Sequence, residues 1–224
     1  MPHPTPYPRC IFCGDKANSR EHAIPKWIGR RLHIKDVELR PAYVLNIDPG
    51  HQPVRVGSHR RRIFCAECNG HFKHLEDEAI PVVEWIARGK PISLGETEQD
   101  ILARWGAKTG YAIISAQKEM RSLVPDEHTR RLRYEGTVHP LTWVGYASWH
   151  GHTHVFGGDH AASTEGGTIR AYGVALCIGQ MALKVRPLRT GPETLPALRH
   201  EELETGIPGP SSSYLVAAVS GGWR

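Results

Sequence analysis

The 224-residue chain carries 28 Lys+Arg against 23 Asp+Glu, a formal net charge of +5, with 40% hydrophobic residues. That is the composition of an ordinary globular protein long enough to bury a real core. It contains no run of about 18 apolar residues to span a bilayer, so no membrane partner is expected.

The N-terminal stretch MPHPTPYPR lacks the apolar segment of a secretory signal. A cytoplasmic, reducing setting is therefore expected, where close cysteine pairs indicate metal rather than disulfides. The charge is uneven: residues 1–90 hold 15 basic against 10 acidic side chains, whereas residues 91–224 hold 13 of each. The excess includes Arg30–Arg31 and Arg60–Arg61–Arg62. Such a footprint suits a phosphate-binding surface, although a merely solvated face accounts for charge alone.

The first landmark is CIFCG, Cys10 to Gly14. Two cysteines separated by two residues, with a glycine that tolerates positive φ, form a metal knuckle. In SREHAIPKWIGRRLH, Pro25 and the apolar Ile24, Trp27, Ile28 and Leu32 predict a helix over about 24–33. Glu21 and His22 then fall just before it, in a turn or strand end. Residues 36–47 and 53–64 read as strands joined by a turn at DPG, 48–50. A helix follows from about Cys68, with Phe72, Leu75, Ala79, Val82 or Val83, and Ile86 at helical spacing and a kink or break at Pro81. GKPISLGE, at about 89–96, marks a boundary between domains 1–90 and 91–224. Thr97 with Asp100 reads as a capping box opening a helix over 98–118 that contains Trp105. Residues 132–138, 141–149, 152–157, 168–177 and 179–186 read as strands, with a turn at His150–Gly151 and a turn or bulge at 177–179. Residues 187–213 read as irregular, and SYLVAAVSG as a final strand. The expected class is α+β.

Cys10, Cys13, Cys65 and Cys68 make two CxxC pairs with 51 residues between them. Four thiolates complete a tetrahedral zinc shell and leave no coordination position for substrate, so this zinc is expected to be structural. Long separation is no obstacle, because loop-closure cost grows slowly with length. Free core thiols or a redox pair would not explain two pairs and one extra cysteine. The extra one, Cys177, lies in an apolar strand and reads as core. Closing the shell draws Glu21, His22 and Asn69 toward one another. Glu21 and Asn69 offer hard oxygen donors suited to Mg²⁺ or Mn²⁺, and His22 suits a general base. Each also has a plainer reading: Asn69 as a helix cap, Glu21 paired with Arg20 or Lys26, and His22 as a buried core histidine. Among His150, His152 and His154, an exposed polar face is favoured over a second metal site.

The order CxxC, Glu-His, CxxC-Asn resembles the HNH endonucleases, whose fold is a ββα-metal unit with a zinc-bound treble clef. The stretch SREHAIPKWI is similar to the Glu-His-x-x-Pro form found in many bacterial HNH proteins. The resemblance covers roughly residues 8–90. It implies His22 as general base and Glu21 and Asn69 as ligands of one catalytic divalent ion. It also implies Cys10, Cys13, Cys65 and Cys68 as structural zinc ligands. His71 is the nearest candidate for a third catalytic-metal ligand, followed by His74 and Glu76. The 42 residues between His22 and Cys65 exceed a minimal hairpin, so extra structure is inserted there. The expected architecture is a zinc-stabilised HNH module followed by a helix and an antiparallel sheet. The expected activity is phosphodiester hydrolysis in DNA, with RNA as another target, and Arg60, Arg61, Arg62 and Lys73 steer the nucleic acid. The C-terminal part would select substrate, mediate homo-oligomerisation or bind a protein. The rival readings are a non-enzymatic zinc module that binds nucleic acid or protein, and an assembly protein.

Overall fold

The computed structural model of the protein describes residues 8–43, 54–55, 60–116, 118–150, 154–164, 167–189 and 217–218. The chain is α+β. In order, it forms β1 (Ser19–His22), α1 (Lys26–Arg31), β2 (Glu38–Tyr43), β3 (Val54–Arg55), β4 (Arg60–Phe64), α2 (Ala66–Ala87), α3 (Glu96–Ser115), a 3-10 segment (Lys118–Leu123), α4 (Asp126–Tyr134), β5 (Thr142–Ser148), β6 (His154–Thr164), β7 (Gly167–Ile178), β8 (Met181–Arg189) and β9 (Ala217–Ala218). No helix among the described residues is long and apolar enough to cross a membrane.

Two sheets organise these elements. β1 and β4 form a small antiparallel pair, with Glu21 opposite Arg61 and His22 opposite Arg60. The larger sheet has the order β3-β2-β6-β7-β8-β5-β9. Its pairs are antiparallel except β2–β6, which is parallel. The insertion between His22 and Cys65 thus leaves the small sheet, contributes β2 and β3 to the large one, and returns as β4. The hydrogen-bonded large sheet therefore draws strands from both sides of residue 90.

α2 runs unbroken over 22 residues, through Pro81, where a kink or break was expected. Its buried residues Cys68, Phe72, Leu75, Ala79, Val83 and Ala87 recur at three- and four-residue spacing. Proline removes the hydrogen bond to the carbonyl four residues earlier, that of Asp77. Both Pro81 and Asp77 are exposed, so water can satisfy that carbonyl and the helix continues.

α3 is the central element, with every residue from Trp105 to Ser115 buried. It lies between α2 and the large sheet. Gly95 caps it and no side-chain capping bond forms, so the Thr97–Asp100 capping box is not realised. On the α2 side, Lys108 is buried, pairs with Glu76 and lies over the Phe64 ring. Trp105, fully buried, meets Trp27 of α1 with ring centroids 5.9 Å apart. On the sheet side, the helix approaches closely because Gly106 and Gly110 lack side chains. A Cβ on Gly106 would lie 2.7 Å from Val144, and one on Gly110 would lie 2.5 Å from the Val185 Cβ.

Two sequence expectations require correction here. Residues 132–138 do not form a strand, because Asp126–Tyr134 is the helix α4. Pro125 precedes it, Asp126 and Glu127 occupy its first turn, and Arg131 and Arg133 its last, so its charges oppose the helix dipole favourably. The turn at His150–Gly151 does not join a hairpin: β5 pairs with β8 and β9, while β6 pairs with β7 and β2. The turn at Gly179 does join β7 to β8, with Gly179 at φ +56. The DPG turn and residues 190–216 lie outside the described residues.

A polar network joins α3, α4 and β5. The Thr142 hydroxyl lies 2.6 Å from the Tyr111 hydroxyl and 2.7 Å from His128 Nδ1. His128 is fully buried and stacks on His139, with centroids 3.9 Å apart. Burial, helped by the neighbouring His139, pushes the His128 pKa down to about 3.

Two outcomes follow from this packing. Gly110→Ala gains up to about 1 kcal/mol of helix propensity, but its Cβ must displace the fixed Cβ of Val185. Overpacking of about 1–3 kcal/mol prevails, so the midpoint of denaturant unfolding falls. The second concerns acid. With a folded pKa near 3 against an ordinary 6.5, His128 binds fewer protons folded than unfolded within that window. Its contribution is complete above pH 6.5 and is lost as pH falls toward 3. His128→Gln, compared with wild type across pH 3–7 by urea unfolding, should show a shallower acid dependence.

Candidate metal centre and the adjoining acid–imidazole pair

The first cysteine pair sits on a tight knuckle. Gly14, at φ +83, donates its N–H to the Cys10 carbonyl at 3.0 Å, and the Cys10 N–H donates to the Asp15 carbonyl at 2.6 Å. The Ile11 N–H donates to the Ile63 carbonyl at 3.0 Å, tying the knuckle to β4. The second pair occupies the start of α2. Cys65 is the N-cap, and its sulfur accepts the Cys68 N–H at 3.3 Å. The Asn18 side-chain oxygen accepts the Ala66 N–H at 2.8 Å, so the segment leading into β1 also caps α2.

The four Sγ atoms lie within 4.8 Å of one another, and Cys13 and Cys65 are 3.6 Å apart. A tetrahedral ion with metal–sulfur bonds of about 2.3 Å requires sulfur separations of about 3.8 Å. The four cysteines therefore fit a metal ion such as zinc. Cys10, Cys65 and Cys68 are buried. Beneath them Phe12 packs on Phe64 and Phe72, with centroids 5.2 and 4.5 Å away. Burial pushes the Cys68 thiol up to about 12 and raises Cys13 as well. A metal entering this site must displace protons from both. Cys177 is buried in β7, and burial pushes its thiol up to about 12.

Glu21 and His22 end β1. The Glu21 Oε1 accepts the His22 backbone N–H at 3.0 Å and lies 3.9 Å from His22 Nδ1. Neighbouring residues of a strand point to opposite faces, and this back-folded carboxylate brings the two groups together nonetheless. Glu21 is part-exposed, while His22 is 5% exposed. Glu21 forms no ion pair with Arg20 or Lys26 among the described residues.

Asn69 lies at the start of α2, half-buried, with its N–H donated to the Cys65 carbonyl at 3.0 Å. Because Cys65 is the N-cap, Asn69 is not a capping residue. No hydrogen bond or ion pair among the described residues joins it to Glu21 or His22. His71 lies two positions further, about 200° around the helix from Asn69. Its Nδ1 accepts from Arg133 Nη1 at 3.0 Å, which places the proton of a neutral ring on Nε2. Burial and the Arg133 charge lower the His71 pKa and favour that neutral form. His74 pairs with Glu78, and Glu76 with Lys108. Lys73 is exposed and pairs with Asp77 at 2.7 Å. Arg62 is exposed, and Arg60 and Arg61 are placed by the β1–β4 register alone.

Asn18 and Arg133 were not singled out in the sequence. Asn18 precedes a strand without a helix pattern of its own, and Arg133 lies far from the cysteines in the chain. Elsewhere, Arg31, Arg88 and Lys90 surround the exposed Trp85 in an open cleft of about 540 Å³. Trp85 stands 16 residues from Asn69, about 24 Å along α2, so this cleft is separate from the acid–imidazole pair. Of the three alternating histidines, His150 is exposed, His152 lies outside the described residues, and His154 opens β6. No family model, curated protein or solved structure matches the chain.

The four-sulfur geometry predicts stoichiometric zinc by elemental analysis, lost in Cys68→Ser and retained in Cys177→Ser. A strong chelator should lower the thermal midpoint of wild type. Acidification should release the metal, because protons compete for the raised thiols. Equal zinc content in Cys68→Ser and wild type would contradict the assignment.

Proposed function

We propose that the chain is a metal-dependent endonuclease of the HNH type that hydrolyses phosphodiester bonds in DNA. One observation carries the reading. The antiparallel pair β1–β4 runs into α2, the cysteine quartet stands at the strand–helix junction, the Glu-His dipeptide ends β1, and an asparagine follows the last cysteine. This is the ββα arrangement that the CxxC, Glu-His, CxxC-Asn order implies.

In this reading Glu21 and Asn69 hold one Mg²⁺ or Mn²⁺. The donor chemistry fits. Glu21 commits Oε1 to the His22 N–H and has Oε2 for an ion, while Asn69 supplies an amide oxygen. Two hard donors suit a cation that keeps several waters. When bound, such an ion stabilises the charge of the phosphoryl transition state. His22 takes a proton from water, and the resulting hydroxide attacks phosphorus in line. The bond to the leaving sugar oxygen breaks, and that oxygen takes a proton from solvent. Arg60 and Arg61, in register with His22 and Glu21, bring positive charge to the phosphate backbone. Arg62 and Lys73 extend it, so salt weakens binding.

The burial of His22 at 5% exposure favours one alternative, a zinc module that binds nucleic acid or protein without cleaving. The two readings separate at His22. For the nuclease, purified protein nicks duplex, single-stranded or branched DNA only with Mg²⁺ or Mn²⁺. His22→Ala then loses at least about 100-fold in rate while keeping its zinc and its fold. Wild type inactive on the whole panel with either ion, or His22→Ala as active as wild type, would sink the nuclease.

A further inference from the structure

The cysteine quartet carries an electrostatic burden that its own segment does not relieve. Four thiolates around a divalent ion leave two negative charges, and three of the four sulfurs belong to buried residues. Buried charge requires a partner. A cation comes from the other half of the sequence. Arg133, in the last turn of α4, reaches the first two turns of α2. Its Nη2 donates to Glu67 Oε1 at 2.8 Å and its Nη1 to His71 Nδ1 at 3.0 Å. These residues flank Cys68, and the pair of bonds fixes the guanidinium plane beside that cysteine. The third nitrogen, Nε, is buried and has no hydrogen-bond partner among the described residues, and the charges of Arg133 and a Cys68 thiolate favour one another.

We propose that Arg133 is a positioning residue of the metal centre, its Nε–H donating to the Cys68 sulfur. An N–H···S bond withdraws charge from a metal-bound thiolate and holds it in place, and outer partners of this kind alter metal affinity by about 10–100-fold. The inference depends on the four-cysteine site and is independent of the nuclease reading. It also gives α4 a role: the helix shields the metal centre, and metal loading strengthens its docking on α2.

The test uses the full chain loaded with Co²⁺, whose thiolate charge-transfer band reports on sulfur electronics. Arg133→Met should surrender cobalt to a chromogenic chelator about 10–100-fold more readily than wild type, with a displaced band. Arg133→Lys keeps the charge but not the planar donor, so it should hold metal better than Arg133→Met and still shift the band. Glu67→Gln removes an anchor of the guanidinium without touching a sulfur, and should have the smaller effect. A folded Arg133→Met with wild-type affinity and band overturns the proposal. So does a Glu67→Gln variant that loses as much affinity as Arg133→Met while neither band moves, since Arg133 would then only anchor α4. If Arg133→Met does not fold, Arg133→Lys decides: an unmoved band overturns the proposal, and a shifted band supports it.

Discussion

The closure of two distant CxxC pairs into one four-sulfur site is the constraint on which the N-terminal half depends. Phe12, Phe64 and Phe72 lie beneath the sulfurs, and Ile24, Trp27, Ile28, Ile63 and Leu75 belong to the same buried cluster. Burying a phenyl ring contributes about 1.5–3 kcal/mol, whereas a structural zinc contributes about 10–16 kcal/mol of apparent binding energy in small domains. A zinc bound by the quartet would therefore outweigh any single packing contact here. The four cysteines bring the knuckle, the end of β4 and the start of α2 together. The Asn18 bond to Ala66 and the Ile11 bond to Ile63 then set the approach of β1.

This clamp does not act alone, because α3 is shared by both halves of the chain. One face meets α2 and α1 through the Lys108–Glu76 pair and the Trp27–Trp105 contact. The other presses on β5 and β8 across Gly106 and Gly110. Removing one member of a buried ion pair commonly costs more than the pair contributes, so Lys108 and Glu76 fix the orientation of α2 against α3 more than they add stability. With Arg133 reaching the start of α2, the helix that carries Cys65, Cys68 and Asn69 is held at several points by residues of the second half.

Much of this arrangement could be read from the sequence where spacing maps directly onto geometry. Two CxxC pairs in a chain with one further cysteine define a metal site at any loop length, and the buried stripe of α2 announces itself through Phe72, Leu75, Ala79 and Val83. The errors arose where a local signal was overruled or shared between structures. Pro81 usually interrupts a helix, but here Asp77, whose carbonyl loses its helical partner, is an exposed residue. Leu132 to Val138 reads like a strand, yet the acidic first turn at Asp126–Glu127 and Pro125 ahead of it carry the stronger helix information. Thr97 and Asp100 have capping-box spacing, but the helix begins at Glu96, two residues before the expected start at 98. Arg133 could not be read at all, because its partners Glu67 and His71 are brought to it by tertiary packing. Of the candidate site, the Glu21–His22 contact follows from adjacency, whereas the side-chain setting of Asn69 depends on the rotation of α2.

The parallel pairing of β2 with β6 has a kinetic side. Arg40 and His154 are register partners separated by more than a hundred positions. Loop-closure entropy for such a contact is expended before the contact rewards it, which slows folding in proteins dominated by distant pairings. During synthesis the knuckle, β1, β4 and α2 all emerge before β6 exists. An early metal-bound intermediate would therefore leave the β2 edge open until the second half is made, and an open edge is a template for pairing with another chain. The rate at which the downstream strands arrive then governs how much nascent protein reaches the native sheet.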